Sequence, residues 1–142
     1  MPIKILMVEN DLDDRQLTEE TFKQEWPGAA VEFIYGADLP GWLQHKSKKP
    51  DATDGTPPSL ILLTMNANPN GAMNMIPQIR SKEGYGEIPV IVLSETTSPE
   101  EIRAAYSAGA SSFIKKPSGY EDTLFKIRSF INYWIRTVEL PV

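Results

Sequence analysis

Short apolar runs alternate with longer amphipathic or polar segments along the whole chain. Five of these runs are rich in apolar and β-branched residues, as is typical of buried strands. The predicted strands are Ile3–Val8, Ala30–Tyr35, Ser59–Leu63 or Thr64, Ile88–Leu93 and Ser111–Lys115. The predicted helices are Asp11–Glu25, Ala37–His45, Gly71–Lys82, Ser98–Ala108 and Ser118–Val138. Strands that alternate with helices in this way predict an α/β domain, with a doubly wound, five-stranded parallel sheet covered by helices on both faces.

Proline and serine residues give local signals about two of the predicted helices. Ser98, followed by Pro99 and two acids, is a strong helix start, because it combines a capping hydroxyl with a proline at the first position. Pro77 lies inside the third predicted helix. We expect it to kink that helix or to shorten it to its second half.

Composition narrows the functional classes. The chain has 142 residues, 41% of them hydrophobic, which fits a single globular domain over residues 1–142. Cysteine is absent, which excludes disulfides, thiolate chemistry and cysteine-based zinc sites. The net charge of −5 does not favour binding to nucleic acid, which is itself negatively charged. No apolar run is long enough for a membrane span and no signal peptide is recognisable, so we expect a cytoplasmic protein without membrane contact.

The third predicted strand delivers Thr64 to the place where function is expected. In doubly wound α/β domains, ligands bind in the crevice at the carboxyl ends of the strands. The only histidine, His45, lies in a charged segment and is expected to be exposed, which leaves no histidine-based catalytic triad. The asparagines at 66, 68 and 70 are most simply explained as loop-forming residues after the strand.

Four segments, in order along nearly the whole chain, resemble the receiver domains of bacterial response regulators. They are Ile5–Asp11, Leu60–Asn66, Val90–Glu95 and Ala108–Pro117. The tail at Phe130–Pro141 is similar to single-domain receivers of the cyanobacterial phytochrome response-regulator type. Each segment is a weak signal alone, but four of them at receiver spacing are a strong one. The resemblance implies a flavodoxin-like (βα)5 fold with strand order 2-1-3-4-5.

The resemblance also implies roles for particular positions. In that family an aspartate at the end of the third strand takes a phosphoryl group from a histidine kinase, and acids after the first strand hold Mg²⁺. A lysine after the fifth strand and a hydroxyl residue after the fourth bind the phosphoryl oxygens. The corresponding positions here are the phosphoacceptor position Thr64, the acidic turn Glu9, Asn10 and Asp11, and the phosphate-site and switch residues Lys116, Ser94 and Phe113.

This chain departs from the family pattern at its centre. Thr64 offers a hydroxyl with no base beside it, which is a poor nucleophile and would form a stable ester. Asn10 is neutral, and Asp11 stands one residue late in the acidic turn. The loss of carboxylates should weaken Mg²⁺ strongly, so we expect no cofactor, although weak Mg²⁺ binding at the turn is left open. Without a phosphoryl group to bind, Lys116 is expected to pair with Glu9.

We therefore predict an atypical receiver, or pseudo-receiver, that transduces signals by protein–protein interaction and is not an enzyme. The alternative is a phosphorelay regulator phosphorylated at a non-standard acid such as Asp11 or Glu9. An enzyme of flavodoxin-like architecture is disfavoured, because no glycine-rich phosphate cradle follows the first strand.

The predicted last helix carries more apolar residues than one face can bury. The expected dimer or partner face comprises Phe130, Tyr133, Trp134 and Ile135. Either a partner covers such residues or they are scattered on the surface. The resemblance to phytochrome-type regulators favours a homodimer through this C-terminal region. The other partner it implies is a histidine kinase or another signalling protein.

Overall fold

Five parallel strands form one sheet in the order β2-β1-β3-β4-β5. The computed structural model describes residues 3–45, 57–65 and 72–141, and for His45 and Ala72 it describes the backbone alone. The strands are β1 (Lys4–Val8), β2 (Ala30–Ile34), β3 (Leu60–Thr64), β4 (Val90–Ser94) and β5 (Ser112–Lys115). The predicted α/β class and strand order are confirmed. The predictions for the asparagines at 66, 68 and 70 and for the side chain of His45 fall outside the described residues.

Five α-helices connect and follow the strands. They are α1 (Leu12–Glu25), α2 (Leu39–His45), α3 (Ala72–Ser81), α4 (Pro99–Ala108) and α5 (Gly119–Phe130). The predicted start of α4 is confirmed, since the Ser98 hydroxyl accepts a hydrogen bond from the Glu101 amide at 3.2 Å. None of the helices in the described ranges has the length and hydrophobicity needed to cross a membrane.

Two helices differ from the sequence prediction. α3 includes Pro77 in its interior, so the alternative in which only its second half is helical is wrong. A proline there removes one backbone hydrogen bond, a loss that the packing of the helix against the sheet offsets. The predicted helix to Val138 is also divided: α5 ends at Phe130 and continues as a π-helical turn over Ile131–Ile135.

The core consists of two apolar layers, one on each face of the sheet. Because successive strand residues point to opposite faces, a fully apolar strand supplies both layers. In β3, Ile61 and Leu63 join the layer beneath α2, α3 and α4, whereas Leu60 and Leu62 join the layer beneath α1 and α5. All five residues of β3 are buried, which explains why its first four residues are all apolar instead of alternating with polar ones.

Tyr85 is a buried phenol in the segment after α3. Its side chain is 3% exposed, and its ring packs edge to face with Trp42 at a centroid distance of 6.2 Å. The hydroxyl has no hydrogen-bond partner among the residues that the structure describes. Burial, and secondarily the negative charge of Glu32, raises the pKa of Tyr85 to about 12.

This raised pKa predicts a loss of stability in alkali that depends on Tyr85. Between pH 10 and 12 the unfolded chain releases the phenolic proton while the folded chain keeps it, so the free energy of unfolding falls as pH rises. The fall attributable to Tyr85 is at most about 2–3 kcal/mol. Urea unfolding of wild type and Tyr85→Phe at pH 7 and pH 11 measures it. We expect the variant to be at least as stable as wild type at pH 7 and relatively more stable at pH 11; equal pH dependence of the two proteins would contradict the assignment.

Candidate functional site

Four buried polar side chains meet at the carboxyl edge of the sheet. Glu9 directly follows β1, Thr64 and Ser94 end β3 and β4, and Lys116 directly follows β5. Their relative exposures are 0%, 0%, 3% and 7%, which sets them apart from ordinary surface residues. Parallel strands bring these chain positions to one edge because all their carboxyl ends point the same way.

Lys116 is held between two carboxylates, and we call Glu9, Asp14 and Lys116 the ion cluster. The Lys116 Nζ atom lies 2.7 Å from Glu9 Oε1 and 2.6 Å from Asp14 Oδ2. The side chain of Glu9 is 1% exposed, whereas that of Asp14 is 41% exposed. The pairing of Lys116 with Glu9 that the sequence predicts is therefore confirmed, and Asp14 adds a second, more solvated partner.

The surroundings of Lys116 favour its charged form. Desolvation by burial lowers the pKa of an ammonium, but here hydrogen bonding to Asp14 and Glu9 and their negative charges outweigh it, so the pKa of Lys116 is raised. Lys116 is accordingly a permanent cation at neutral pH. A buried cation of this kind serves as an electrostatic anchor and not as a nucleophile, which would need a free amine.

The side-chain oxygens of the acidic turn, Glu9–Asp11, already accept hydrogen bonds from nearby backbone amides. The side chain of Asp11 caps α1, accepting a hydrogen bond from the Asp14 amide at 2.9 Å. Its own amide donates to Glu9 Oε2 at 3.2 Å. The Asn10 side-chain oxygen accepts from the Gly36 amide at 2.8 Å, which ties the turn to the segment after β2.

These contacts do not fit a divalent cation in the present arrangement. Within residues 3–45, 57–65 and 72–141, no three His, Cys, Asp or Glu side chains are grouped to hold a metal ion. Mg²⁺ demands nearly ideal octahedral oxygen coordination, whereas the Glu9 carboxylate already faces an ammonium and Asp11 already caps a helix. Binding of a cation would have to displace those contacts.

Thr64 is positioned by a hydrogen bond to the neighbouring strand. Its Oγ1 donates to the carbonyl oxygen of Val8 at 2.9 Å, and the residue is fully buried. A hydroxyl whose proton is held by a backbone carbonyl has no base to activate it. The arrangement stabilises the edge of the sheet but offers no activated nucleophile.

Ser94 and Phe113, the predicted switch residues, are also accounted for by local contacts. The Ser94 hydroxyl accepts from the Thr96 amide at 3.2 Å and lies 3.3 Å from the Thr96 hydroxyl, which in turn donates to the Glu101 carboxylate. The Ser94 carbonyl accepts from the Lys116 amide at 2.7 Å, joining β4 to the ion cluster. Phe113 is half-buried against the core layer beneath α2, α3 and α4.

The predicted partner face is only partly at the surface. Phe130 is 7% exposed and packs edge to face against Phe22 of α1, so its assignment to the surface is corrected. Trp134 and Ile135 are half-buried against the layer beneath α1 and α5. Tyr133 is 54% exposed, and Phe125, which lies outside the expected partner face, is 66% exposed.

Asp14 is the site residue that sequence reasoning missed. It is recognisable in the sequence only as one of two acids in the first turn of α1, where acids stabilise the helix terminus. The sequence did contain one indication of this role. Asp14 lies about one helical turn after the acidic turn, close enough for its carboxylate to contact Lys116 as Glu9 does. Choosing Asp14 over Asp13 requires knowing how the helix is rotated.

Comparisons with known proteins identify relatives over essentially the full length of the chain. The chain is 24% identical over 140 residues to the response regulator Rcp1 of Synechocystis, covering 99% of this chain and 94% of Rcp1. Its fold matches the phosphorylated cyanobacterial phytochrome response regulator RcpA with a TM-score of 0.86 at 22% identity, covering 100% of both chains. It matches the response regulator RPA3017 of R. palustris, in red light signaling, with a TM-score of 0.84 at 26% identity, covering 100% of this chain and 99% of that one. No protein-family model matches the chain.

The chain is homologous to the response regulator Rcp1 and has the receiver fold. The proteins it is similar to include receivers of the phytochrome response-regulator type. Rcp1 also matches as a structure, in a Mn²⁺-bound form, with a TM-score of 0.83 at 23% identity over 99% of this chain and 100% of that one. The receiver fold is thus present here with a lysine-centred cluster at the carboxyl edge of its sheet.

The burial of the ion cluster predicts unequal effects of removing its two carboxylates. Glu9→Gln leaves the buried Lys116 ammonium with only its solvated partner and should lower the free energy of unfolding by about 3 kcal/mol. Asp14→Asn removes a partner that water can partly replace and should cost about 1 kcal/mol or less. Urea unfolding at pH 7 gives both values.

A double variant separates loss of pairing from loss of packing. Glu9→Gln combined with Lys116→Met removes both buried charges, and it should recover much of the stability that Glu9→Gln loses. A larger cost for Asp14→Asn than for Glu9→Gln would show that the solvated pair dominates, against this description of the cluster.

Proposed function

We propose that this receiver domain is a pseudo-receiver that signals by protein–protein interaction without aspartyl phosphorylation. The observation that carries the proposal is the state of Thr64 at the end of β3. This buried threonine donates its hydroxyl hydrogen to the Val8 carbonyl, and among the residues that the structure describes no base accepts it. By family resemblance it stands at the phosphoacceptor position, where a carboxylate would be needed to form a labile acyl phosphate.

The ion cluster supports the same proposal. A phosphorylated receiver needs a cation for the crowded oxygens and a lysine free to contact the phosphoryl group. In this chain Lys116 is bound at 2.7 Å and 2.6 Å to Glu9 and Asp14. Relatives of this class bind divalent metal, as the Mn²⁺-bound form of Rcp1 illustrates. We infer that Mg²⁺ binds weakly here, because it must compete with the Lys116 ammonium for Glu9 and displace Asp11 from its helix cap.

In this proposal the receiver fold serves as a docking surface for a signalling partner. Receiver domains interact with histidine kinases. The partner proposed here is a histidine kinase or another signalling protein, engaged through the rigid surface that surrounds the ion cluster. A cytoplasmic location and a single-domain organisation over residues 1–142 remain predictions.

Phosphodonor labelling tests the proposal directly. Intact mass is measured after incubation with a small acyl-phosphate donor and Mg²⁺, for wild type, Thr64→Asp and the isosteric control Thr64→Asn. We expect no mass gain for wild type or Thr64→Asn, and a gain of one phosphoryl group for Thr64→Asp, since only that variant restores a carboxylate at the end of β3. The labelling should disappear when Mg²⁺ is chelated.

Labelling of wild type would contradict the pseudo-receiver proposal. It would favour the alternative of a phosphorelay regulator that uses a non-standard acid. Mapping the modified peptide would then distinguish Asp11 and Glu9, the two acids of the turn.

We further propose that the domain forms a homodimer through its C-terminal region. Two aromatic side chains on α5 and the π-helical turn, Phe125 and Tyr133, are 66% and 54% exposed. Exposed large aromatics are enriched at protein interfaces because they bury much apolar area with little loss of entropy. Phe130, which is buried in the core, is not part of this proposed face.

Charge substitutions test the proposed dimer. Phe125→Glu combined with Tyr133→Glu should weaken dimerisation at least about tenfold, because like charges would be buried against each other. Leu12→Glu, at a 63% exposed apolar residue of α1, is the matched control and should leave the dimer intact. Sedimentation equilibrium supplies the dissociation constants, and a monomeric wild type at high micromolar concentration would overturn the proposal.

A further inference from the structure

A small apolar cavity, open to solvent on one side, lies between the sheet and the pair of helices α1 and α5. Its volume is about 80 Å³, and its walls are mostly apolar. Met7 and Leu62 contribute from the sheet, Phe22 from α1, and Ile127 and Phe130 from α5. Concave sites with mostly apolar walls and a few polar groups are the usual places where small molecules bind.

The ion cluster forms the polar end of this cavity. Asp14, Lys116 and Lys126 line it together with the apolar side chains. Lys116 directs its ammonium to two carboxylates, and Lys126 donates to the Lys115 carbonyl at 2.7 Å while its ammonium lies 3.5 Å from Asp122. An ammonium has three N–H donors, so each lysine keeps one donor beyond these contacts.

The charges around this end set the type of ligand. The two ammonium groups are accompanied by three carboxylates, those of Glu9, Asp14 and Asp122. Because both ammonium groups are already paired with carboxylates, an anionic ligand would have to compete for them, a cationic ligand would be repelled by them, and either ion would lose hydration among the apolar walls. A neutral oxygen can accept a lysine N–H without adding a charge.

We propose that this cavity is a binding site for a small neutral molecule with an apolar body and one oxygen acceptor, such as a short-chain ketone or alcohol. The volume is about half that of a ~150 Å³ cavity that admits benzene, which limits the ligand to roughly four or five non-hydrogen atoms. Its apolar body lies among Met7, Phe22 and Phe130, and its oxygen faces the lysine end. A ligand of this size binds with a dissociation constant of about 0.1–10 mM.

Such a ligand would stabilise the arrangement of α1 and α5 around the ion cluster. Both helices and Lys116 line the same cavity, so a molecule bound there contacts the site edge and the helical layer at once. The inference is independent of whether the domain is phosphorylated.

Titration with three probes of similar size tests the ligand class. Butan-2-one, butyrate and butylammonium are each titrated into the full chain and followed by amide and methyl NMR shifts. We expect butan-2-one to shift signals of the cavity residues with saturation in the millimolar range, and both ions to bind at least tenfold more weakly. Tighter binding of either ion, or no saturable shift with butan-2-one, would overturn the proposal.

Two variants test the location. Leu17 lines the cavity and is half-buried, and Leu17→Phe should fill its mouth and weaken butan-2-one binding at least tenfold. The matched control is Leu124→Phe, at a half-buried leucine of α5 that does not line the cavity, and its affinity should match wild type. Unchanged binding in Leu17→Phe, or an equal loss in both variants, would place the ligand elsewhere.

A further variant enlarges the cavity, so this test does not depend on whether the Leu17→Phe variant folds. Ile114 lines the cavity and is half-buried, and Ile114→Ala should admit benzene, for which the wild-type cavity is too small. Saturable benzene shifts in Ile114→Ala but not in wild type support the proposal. Failure of the folded Ile114→Ala variant to bind benzene would contradict it.

Discussion

The buried ammonium of Lys116 is the constraint on which the carboxyl edge of this domain depends. A charge taken out of water costs several kcal/mol unless close partners compensate it. The compensation comes from separate parts of the chain: Glu9 follows β1, Asp14 lies in α1 and Lys116 follows β5. The cluster therefore forms only when the first strand, the first helix and the last strand have all taken their final places. Because the Lys116 ammonium would be costly to bury without its partners, the cluster favours only the fully assembled fold.

The same cluster explains how a receiver fold can exist without a metal-dependent trigger, as we propose. An ammonium fixed to the chain cannot dissociate, so the charge of Glu9 is balanced at every metal concentration. The neighbouring oxygens serve local structure: Asp11 caps α1, Asn10 holds the segment after β2, and Thr64 joins β3 to β1. Each of these contacts makes the edge more rigid. A rigid edge suits a surface that partners recognise better than it suits a switch that must change between two states.

The sequence was sufficient to predict the sheet, because buried parallel strands leave continuous apolar runs that turn residues delimit. The pair of Lys116 and Glu9 was predicted through the family resemblance, and it forms because both positions follow strands that end at one edge of the sheet. Asp14 was missed because its reach to Lys116 depends on the rotation of α1, which a weakly patterned helix does not reveal. Phe130 was misplaced for a related reason. Phe130 lies three residues after Ile127, on the same buried face of α5, and the apolar stripe assigned to the helix was too narrow to include it. Pro77 was judged by its local cost alone, whereas packing against the sheet decides whether a helix persists.

The layer beneath α1 and α5 has to satisfy two demands at the same place. It must bury the apolar faces of two helices, and at its edge it must accommodate the Lys116 side chain, which reaches the carboxylates from β5. Filling the space with larger apolar side chains would crowd the lysine and its partners, while leaving it open costs packing contacts. The cavity beside Lys116 lies where these two demands meet, with apolar walls and a polar end. Lys116 thus belongs both to the site edge and to the polar end of the cavity. A change at Lys116 should therefore alter partner recognition at the carboxyl edge and ligand preference in the cavity together.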